Sequence, residues 1–175
     1  MKKIAGFVLA LVLMWLTGCG DSGQTPQATA PKTSSDLTGR VVNVHDGDTI
    51  TLETGGKRYR IRLYAIEAPE LDQAYGKQSQ RYLEKIILRE TVNVEKIDID
   101  QYDRILGRVF YKGRDLNLEM VREGNAWFYR GYKPTKEDGY REAERKAKSA
   151  RKGFWQAADP QYPLDWKKAH NKNEQ

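Results

Sequence analysis

The 175-residue chain has one cysteine, Cys19, and only two histidines, His45 and His170. A single thiol cannot close an intrachain disulfide or build a zinc-thiolate site, and these two histidines alone cannot form a histidine-rich metal centre. Long apolar runs are also missing. The one extended run, Ile4 to Leu16, has 13 residues, whereas a membrane-spanning helix needs about 20. No internal repeat is present, and no large excess of one charge: 30 Lys and Arg stand against 24 Asp and Glu.

What is there begins with Lys2 and Lys3 ahead of that apolar run, the pattern of an export signal over residues 1–18. The run closes in Leu16-Thr17-Gly18-Cys19, which resembles the lipobox of bacterial lipoproteins, where the cysteine thiol is acylated and becomes the first mature residue. Acylation of Cys19 removes the only thiol, so thiol catalysis is excluded and the folded part must rely on an apolar core. The expected location is outside the cytoplasm, on a membrane through the lipid on Cys19, facing the periplasm or the cell exterior.

Residues 19–38 are mostly Gly, Ser, Thr, Gln, Ala and Pro, a composition that reads as a flexible tether. The folded domain is expected over 39–155, with a tail, 156–175, packing on or near it. Taking Lys2 and Lys3 from the 30 basic residues leaves 28 against 24 acids, a net +4. A mild basic excess suits a protein that approaches a polyanion and then releases it. A monomer is expected.

Period-two alternation predicts strands over Gly39 to Val44, Thr49 to Leu52 and Lys57 to Ala65, with turns at His45-Asp46-Gly47-Asp48 and Thr54-Gly55-Gly56. Tyr75 to Arg89 changes to helical spacing; Thr91 to Asp98 and Ile105 to Tyr111 alternate again. A short helix is predicted over Leu116 to Glu123, capped by Gly124, and a strand-like aromatic stretch over Asn125 to Tyr129. Thr135-Lys136-Glu137-Asp138 reads as a capping box before a charged helix ending at Gly153. The tail reads as irregular, broken at Asp159-Pro160 and Tyr162-Pro163 and anchored by Trp155 and Trp166. The predicted fold is β-rich α+β: a five-stranded barrel of OB-fold layout with about three helices.

Two acidic pairs flank the third predicted strand: Asp46 and Asp48 before it, Glu67 and Glu70 after it. Hard oxygen donors without His or Cys suit Ca²⁺ or Mg²⁺, and ligands drawn from a turn and a strand end favour Ca²⁺, which tolerates irregular coordination. Arg62 alternates away from the Ile61 and Leu63 face, and Arg104 follows Asp100 and Tyr102 in a loop. Two guanidinium forks near carboxylates suit a phosphodiester, whose hydrolysis builds negative charge on oxygen.

The order Asp46-Gly47-Asp48-Thr49, then Arg-Leu-Tyr-Ala-Ile-Glu-Ala-Pro-Glu over 62–70, Ala74-Tyr75-Gly76, and Asp100 to Gly107 resembles the staphylococcal nuclease (thermonuclease) family, with Asn117 and Gly124 in register. The resemblance spans about Gly39 to Trp155. It implies a Ca²⁺ site made by the Asp48 and Glu67 side chains and the Ala68 carbonyl, with Glu70 orienting or deprotonating the attacking water. Arg62 and Arg104 would clamp the phosphate, and Tyr102 and Tyr132 would line the nucleotide pocket. The implied reaction is hydrolysis of DNA and RNA with cleavage of the bond to the 5′ oxygen, leaving 3′-phosphate ends. The chain departs from the family pattern at Glu67, where aspartate is more frequent, at Ala68, where threonine is common, and at Gln101, Asp103 and Arg130.

Other readings make different demands. A non-catalytic nucleic-acid-binding OB-fold lipoprotein has no need of Asp48, Arg62, Glu70 and Arg104 together, and all four are present. A surface lipoprotein with an envelope role would draw on the tether and the tail aromatics. A glycosidase would use the paired acids, but the neighbouring arginines favour a phosphate over a neutral sugar.

Overall fold

Alternating apolar and polar side chains produce β1 (Leu37–Val44), β2 (Thr49–Thr54) and β3 (Lys57–Leu63), followed by the short β4 (Ile66–Glu67), then β5 (Thr91–Ile99) and β6 (Ile105–Tyr111). The computed structural model describes residues 36–131 and 139–171. Two-residue strands β7 (Arg114–Asp115) and β8 (Trp127–Phe128) complete the set. At the β2–β3 connection Gly55 and Gly56 both take positive φ, 55° and 72°, as a two-residue hairpin whose turn follows the strand twist requires.

The long strands run in the order β3-β2-β1-β5-β6. Their neighbours pair antiparallel, and β3 then pairs with β6 in parallel through Ile61 with Ile105, Arg62 with Leu106 and Leu63 with Gly107. That last pairing closes a five-stranded barrel, the predicted OB layout. Register shifts between Val41 and Asn43 and between Lys96 and Asp98 add the local twist that closure needs. Inward residues Val41, Ile50, Leu52, Ile61, Leu63, Val92, Val94 and Val109 form the core.

Helix α1 (Gly76–Ile87) covers one side with Leu83 and Ile87 fully buried, the face its spacing predicted. Helix α2 (Leu116–Arg122) is N-capped by the Asp115 carboxylate, which accepts from the Leu118 N–H at 3.0 Å. Asn117 on α2 is fully buried. Its Oδ1 accepts from the Val109 N–H, and its Nδ2 donates to the carbonyls of Tyr64 and Gly107. One side chain thus ties the barrel closure to the turn after β3.

Three expectations change. The third strand stops at Leu63 because Ala65 adopts a left-handed φ of 64°, which turns the chain and presents β4 as a separate short strand against β8. Helix α3 (Tyr140–Ser149) ends at Ser149 rather than at Gly153 and has Gly139 as its N-cap; the predicted capping box over 135–138 lies outside the described residues. The tail is not irregular: a 3₁₀ turn (Gly153–Gln156) leads into it and it contains α4 (Pro163–Asn171). Pro163 opens that helix rather than breaking it, because the first helical position needs no N–H. The described residues therefore hold four helices where about three were predicted. Phe154, just ahead of the tail, and Tyr162 within it are buried against Trp127. Trp155 is half-buried beside them, while Trp166 stacks on His170.

Candidate active site

The Asp46–Asp48 turn is fixed locally: the Asp46 carboxylate accepts from the Asp48 N–H at 2.9 Å. The Asp48 carbonyl then accepts from the Leu63 N–H at 2.7 Å, so hairpin register alone sets Asp48 beside Arg62. The Asp48 side chain accepts from the Ala68 N–H at 2.6 Å and the Thr49 hydroxyl at 3.1 Å. Glu67 is held by β4 pairing, opposite Trp127. Both acids are nearly sealed from solvent, 6% and 7% exposed.

Arg62 lies between them. Its Nη1 donates to the carbonyls of Leu63 and Ile66, both at 3.0 Å, and sits 3.1 Å from Asp48 Oδ2. Its Nη2 donates to Glu67 Oε2 at 2.7 Å. Burial pushes both carboxyl groups up to about 7 against the lowering pull of the Arg62 guanidinium. Burial likewise works against the charge on Arg62, but Asp48 and Glu67 outweigh it and raise the pKa of the guanidinium. Two buried acids share one buried base, so the pocket holds more potential negative charge than Arg62 neutralises.

The other groups stand on loops. Glu70 follows Pro69, with its N–H donating to Gln73 Oε1 at 3.1 Å. Gly76, at the start of α1, touches this loop so closely that a Cβ there would meet the Glu70 carbonyl oxygen at 1.7 Å. Arg104 ends the turn before β6. Its Nε donates to Asp100 Oδ2 at 2.7 Å, and its backbone N–H to Asp100 Oδ1 at 3.0 Å. Burial would raise the Asp100 carboxyl, but these bonds and one from the Tyr102 N–H hold it below its ordinary value. Asp100, not the adjacent Asp103, is thus the acid that steadies Arg104; Asp103 has a left-handed φ of 58° within the turn. The Tyr102 ring is 69% exposed and lies 5.3 Å from the Arg104 guanidinium.

A cavity of about 810 Å³ collects Asp48, Arg62, Glu67, Ala68, Glu70, Tyr102 and Arg104. Tyr132 and Cys19 lie outside the described residues. The sequence reading missed Tyr129, Leu164 and Lys167, which line the same cavity. In the sequence Tyr129 closes a strand-like stretch, and the other two fall in a stretch that reads as irregular. Neither histidine joins: His45 Nε2 lies 2.8 Å from the Thr51 hydroxyl, and His170 stacks on Trp166.

As a cation site, the pocket offers two buried carboxylates and a strand-end backbone. Among the described residues no three His, Cys, Asp or Glu side chains gather as a ready-made metal cage. The donors that are present are hard oxygens, which fits Ca²⁺ in chemistry. What the arrangement can do is hold an anion between guanidinium groups next to carboxylates able to accept a proton.

The staphylococcal nuclease homologue family matches residues 60–157. A Shigella flexneri protein named micrococcal nuclease is 38% identical over 145 residues, covering 77% of this chain and 83% of that protein. A Haemophilus influenzae protein named uncharacterized endonuclease is 36% identical over 135 residues, covering 77% and 75%. An Escherichia coli protein of the same name is 38% identical over 138 residues, covering 78% and 89%. With that match running through β3, β4, β6 and the loops that carry the cavity, the chain belongs to the staphylococcal nuclease family.

Proposed function

We propose that this protein is a calcium-dependent nuclease that hydrolyses phosphodiester bonds in DNA and RNA and leaves 3′-phosphate ends. The observation that carries the reading is the gathering of Asp48, Glu67, Glu70, Arg62 and Arg104 around one cavity. Family membership and relatives named as nucleases support it. Asp48, Glu67 and the Ala68 carbonyl would hold the cation, which supplies positive charge beside the scissile phosphate.

The chain's own groups do the rest. The bonds described above occupy Nη1 of Arg62 and one position of Nη2, so Nε and the other Nη2 hydrogen remain for a phosphate oxygen. Arg104 brings a second fork from the rim, and both counter the negative charge that grows in the transition state. Glu70 accepts a proton from the water that adds to phosphorus as the bond to the 5′ oxygen breaks, and the departing 5′ oxygen takes up a proton from solvent to leave as a hydroxyl. Tyr102 offers an exposed ring on which a base can stack, with Tyr132 as the expected second ring.

The test uses purified protein with DNA and with RNA. Both are expected to be degraded in Ca²⁺ and spared in chelator, with phosphatase-sensitive 3′ ends. Undiminished cutting in chelator defeats the calcium assignment. Binding without cutting in every divalent ion supports instead the non-catalytic OB-fold reading.

The proposal includes export and anchoring through an acylated Cys19, supported by Lys2, Lys3, the apolar run and the Leu16–Cys19 sequence. Cys19→Ser should move the protein from the membrane fraction to the soluble fraction; continued pelleting with membranes overturns the anchor. The proposal takes the protein as a monomer.

A further inference from the structure

Helix α4 begins beyond the family-matching segment, which ends at residue 157, yet it contributes to the cavity wall. Lys167 Nζ lies 2.7 Å from Glu70 Oε1, with the two side chains 44% and 30% exposed. The bond has an architecture behind it. Glu70 stands on a stretch without helix or strand between β4 and α1, and that loop is fastened to the C-terminal segment a second time, by Gln73 Nε2 donating to the Gln161 carbonyl.

The C-terminal segment is itself firmly seated. Tyr162 is buried, edge-on to Trp127 at 5.8 Å, and its hydroxyl accepts from the Arg130 N–H at 3.2 Å. The Arg130 guanidinium lies 3.9 Å from the Tyr162 ring and 2.8 Å from Asp165. An aromatic anchor at one end therefore fixes where α4 delivers its lysine.

We propose that Lys167 is a positioning residue for Glu70, holding Oε1 so that the carboxylate keeps one orientation and Oε2 is left for the attacking water. This rests on the role of Glu70 in the nuclease reading above. A glutamate side chain on a loop has three rotatable bonds, and without a partner it divides its time among rotamers that do not meet the water. Displacement of a catalytic group by about 1 Å can cost up to roughly 10²-fold in rate.

The test compares full-length wild type, K167M and K167R on DNA in saturating Ca²⁺, reading kcat, KM, their salt dependence and Tm. For K167M we expect kcat to fall by roughly 10- to 100-fold, with KM and its salt slope unchanged, and K167R to recover most of the loss. An unchanged kcat overturns the proposal. So does a loss confined to KM with a salt slope lower by about one, the mark of a direct phosphate contact. Failure of arginine to rescue also overturns it, and K167R decides the matter if K167M proves less stable. Wild type that cuts while K167M cuts equally well defeats only this inference; wild type that does not cut at all defeats the nuclease reading itself.

Discussion

Arg62 and Arg104 line the same cavity from opposite kinds of scaffold. Arg62 sits on a barrel strand at the parallel closure, its side chain 13% exposed, with two backbone carbonyls and two carboxylates around it. Arg104 sits at the end of a turn, 23% exposed, with Asp100 as its ion-pair partner. A buried charge network is tolerable only when every member is satisfied. Arg62 therefore belongs to the fold as much as to the site, whereas Arg104 can exchange Asp100 for a phosphate without disturbing the barrel.

Conservative substitution separates the two. Arg62→Lys keeps the charge but loses the fork. It should lower kcat by roughly 10²–10³-fold and lower stability by about 1–3 kcal/mol, because Leu63, Ile66 and Glu67 lose donors. Arg104→Lys should lower kcat by roughly 10- to 100-fold while changing stability by less than about 1 kcal/mol, as for a partly solvated ion pair. Turnover together with denaturant melts checks both; equal stability losses would erase the contrast between strand-held and loop-held arginines.

Asn117 sharpens the comparison from the other side, since it supports the same closure without lining the cavity. Asn117→Leu leaves the Val109 N–H without its buried acceptor, and should cost about 1–3 kcal/mol. Well below the melting temperature, kcat should stay within a few-fold of wild type. A fall in kcat as deep as that of Arg62→Lys would mean that barrel closure, not the guanidinium fork, limits the rate.

The same distinction explains what was legible in the sequence. Strand-held groups are legible because alternation fixes both the strand and the face: the alternating stretch Ile105 to Tyr111 has the bounds of β6, and Arg62 alternates opposite Ile61 and Leu63. The hairpin then had to bring Asp48 to it, as register does. Loop-held relations had no such period. The pairing of Arg104 with Asp100 rather than Asp103 depends on a turn closed by an Asp100 N–H to Arg104 carbonyl bond and a left-handed Asp103. Lys167 is invisible for a further reason: Tyr162-Pro163 reads as a break, so the sequence offers no helix on which to place it. The distance from Lys167 to Glu70 is a tertiary fact, set by where Tyr162 docks.

The smallest effect expected is a shift in stability rather than in rate, and it tests the buried half of the site directly. Burial raises the carboxyls of Asp48 and Glu67 to about 7 from ordinary values near 4. Below pH 4 the folded and unfolded chains both keep these protons. As pH rises toward 7 the unfolded chain releases them first, so the contribution of the pair to stability is present in acid and declines until the folded carboxyls ionise. A cation binds the ionised pair and opposes that decline. At a calcium concentration tenfold above its Kd at pH 8, the gain should be about 1.4 kcal/mol, on the order of 5 °C in Tm for a domain of this size. At pH 5, below the raised values of the pair, the same calcium should shift Tm less, and Asp48→Asn should shrink the shift at pH 8. An equal calcium shift at both pH values would mean that the cation is held by groups other than these two acids.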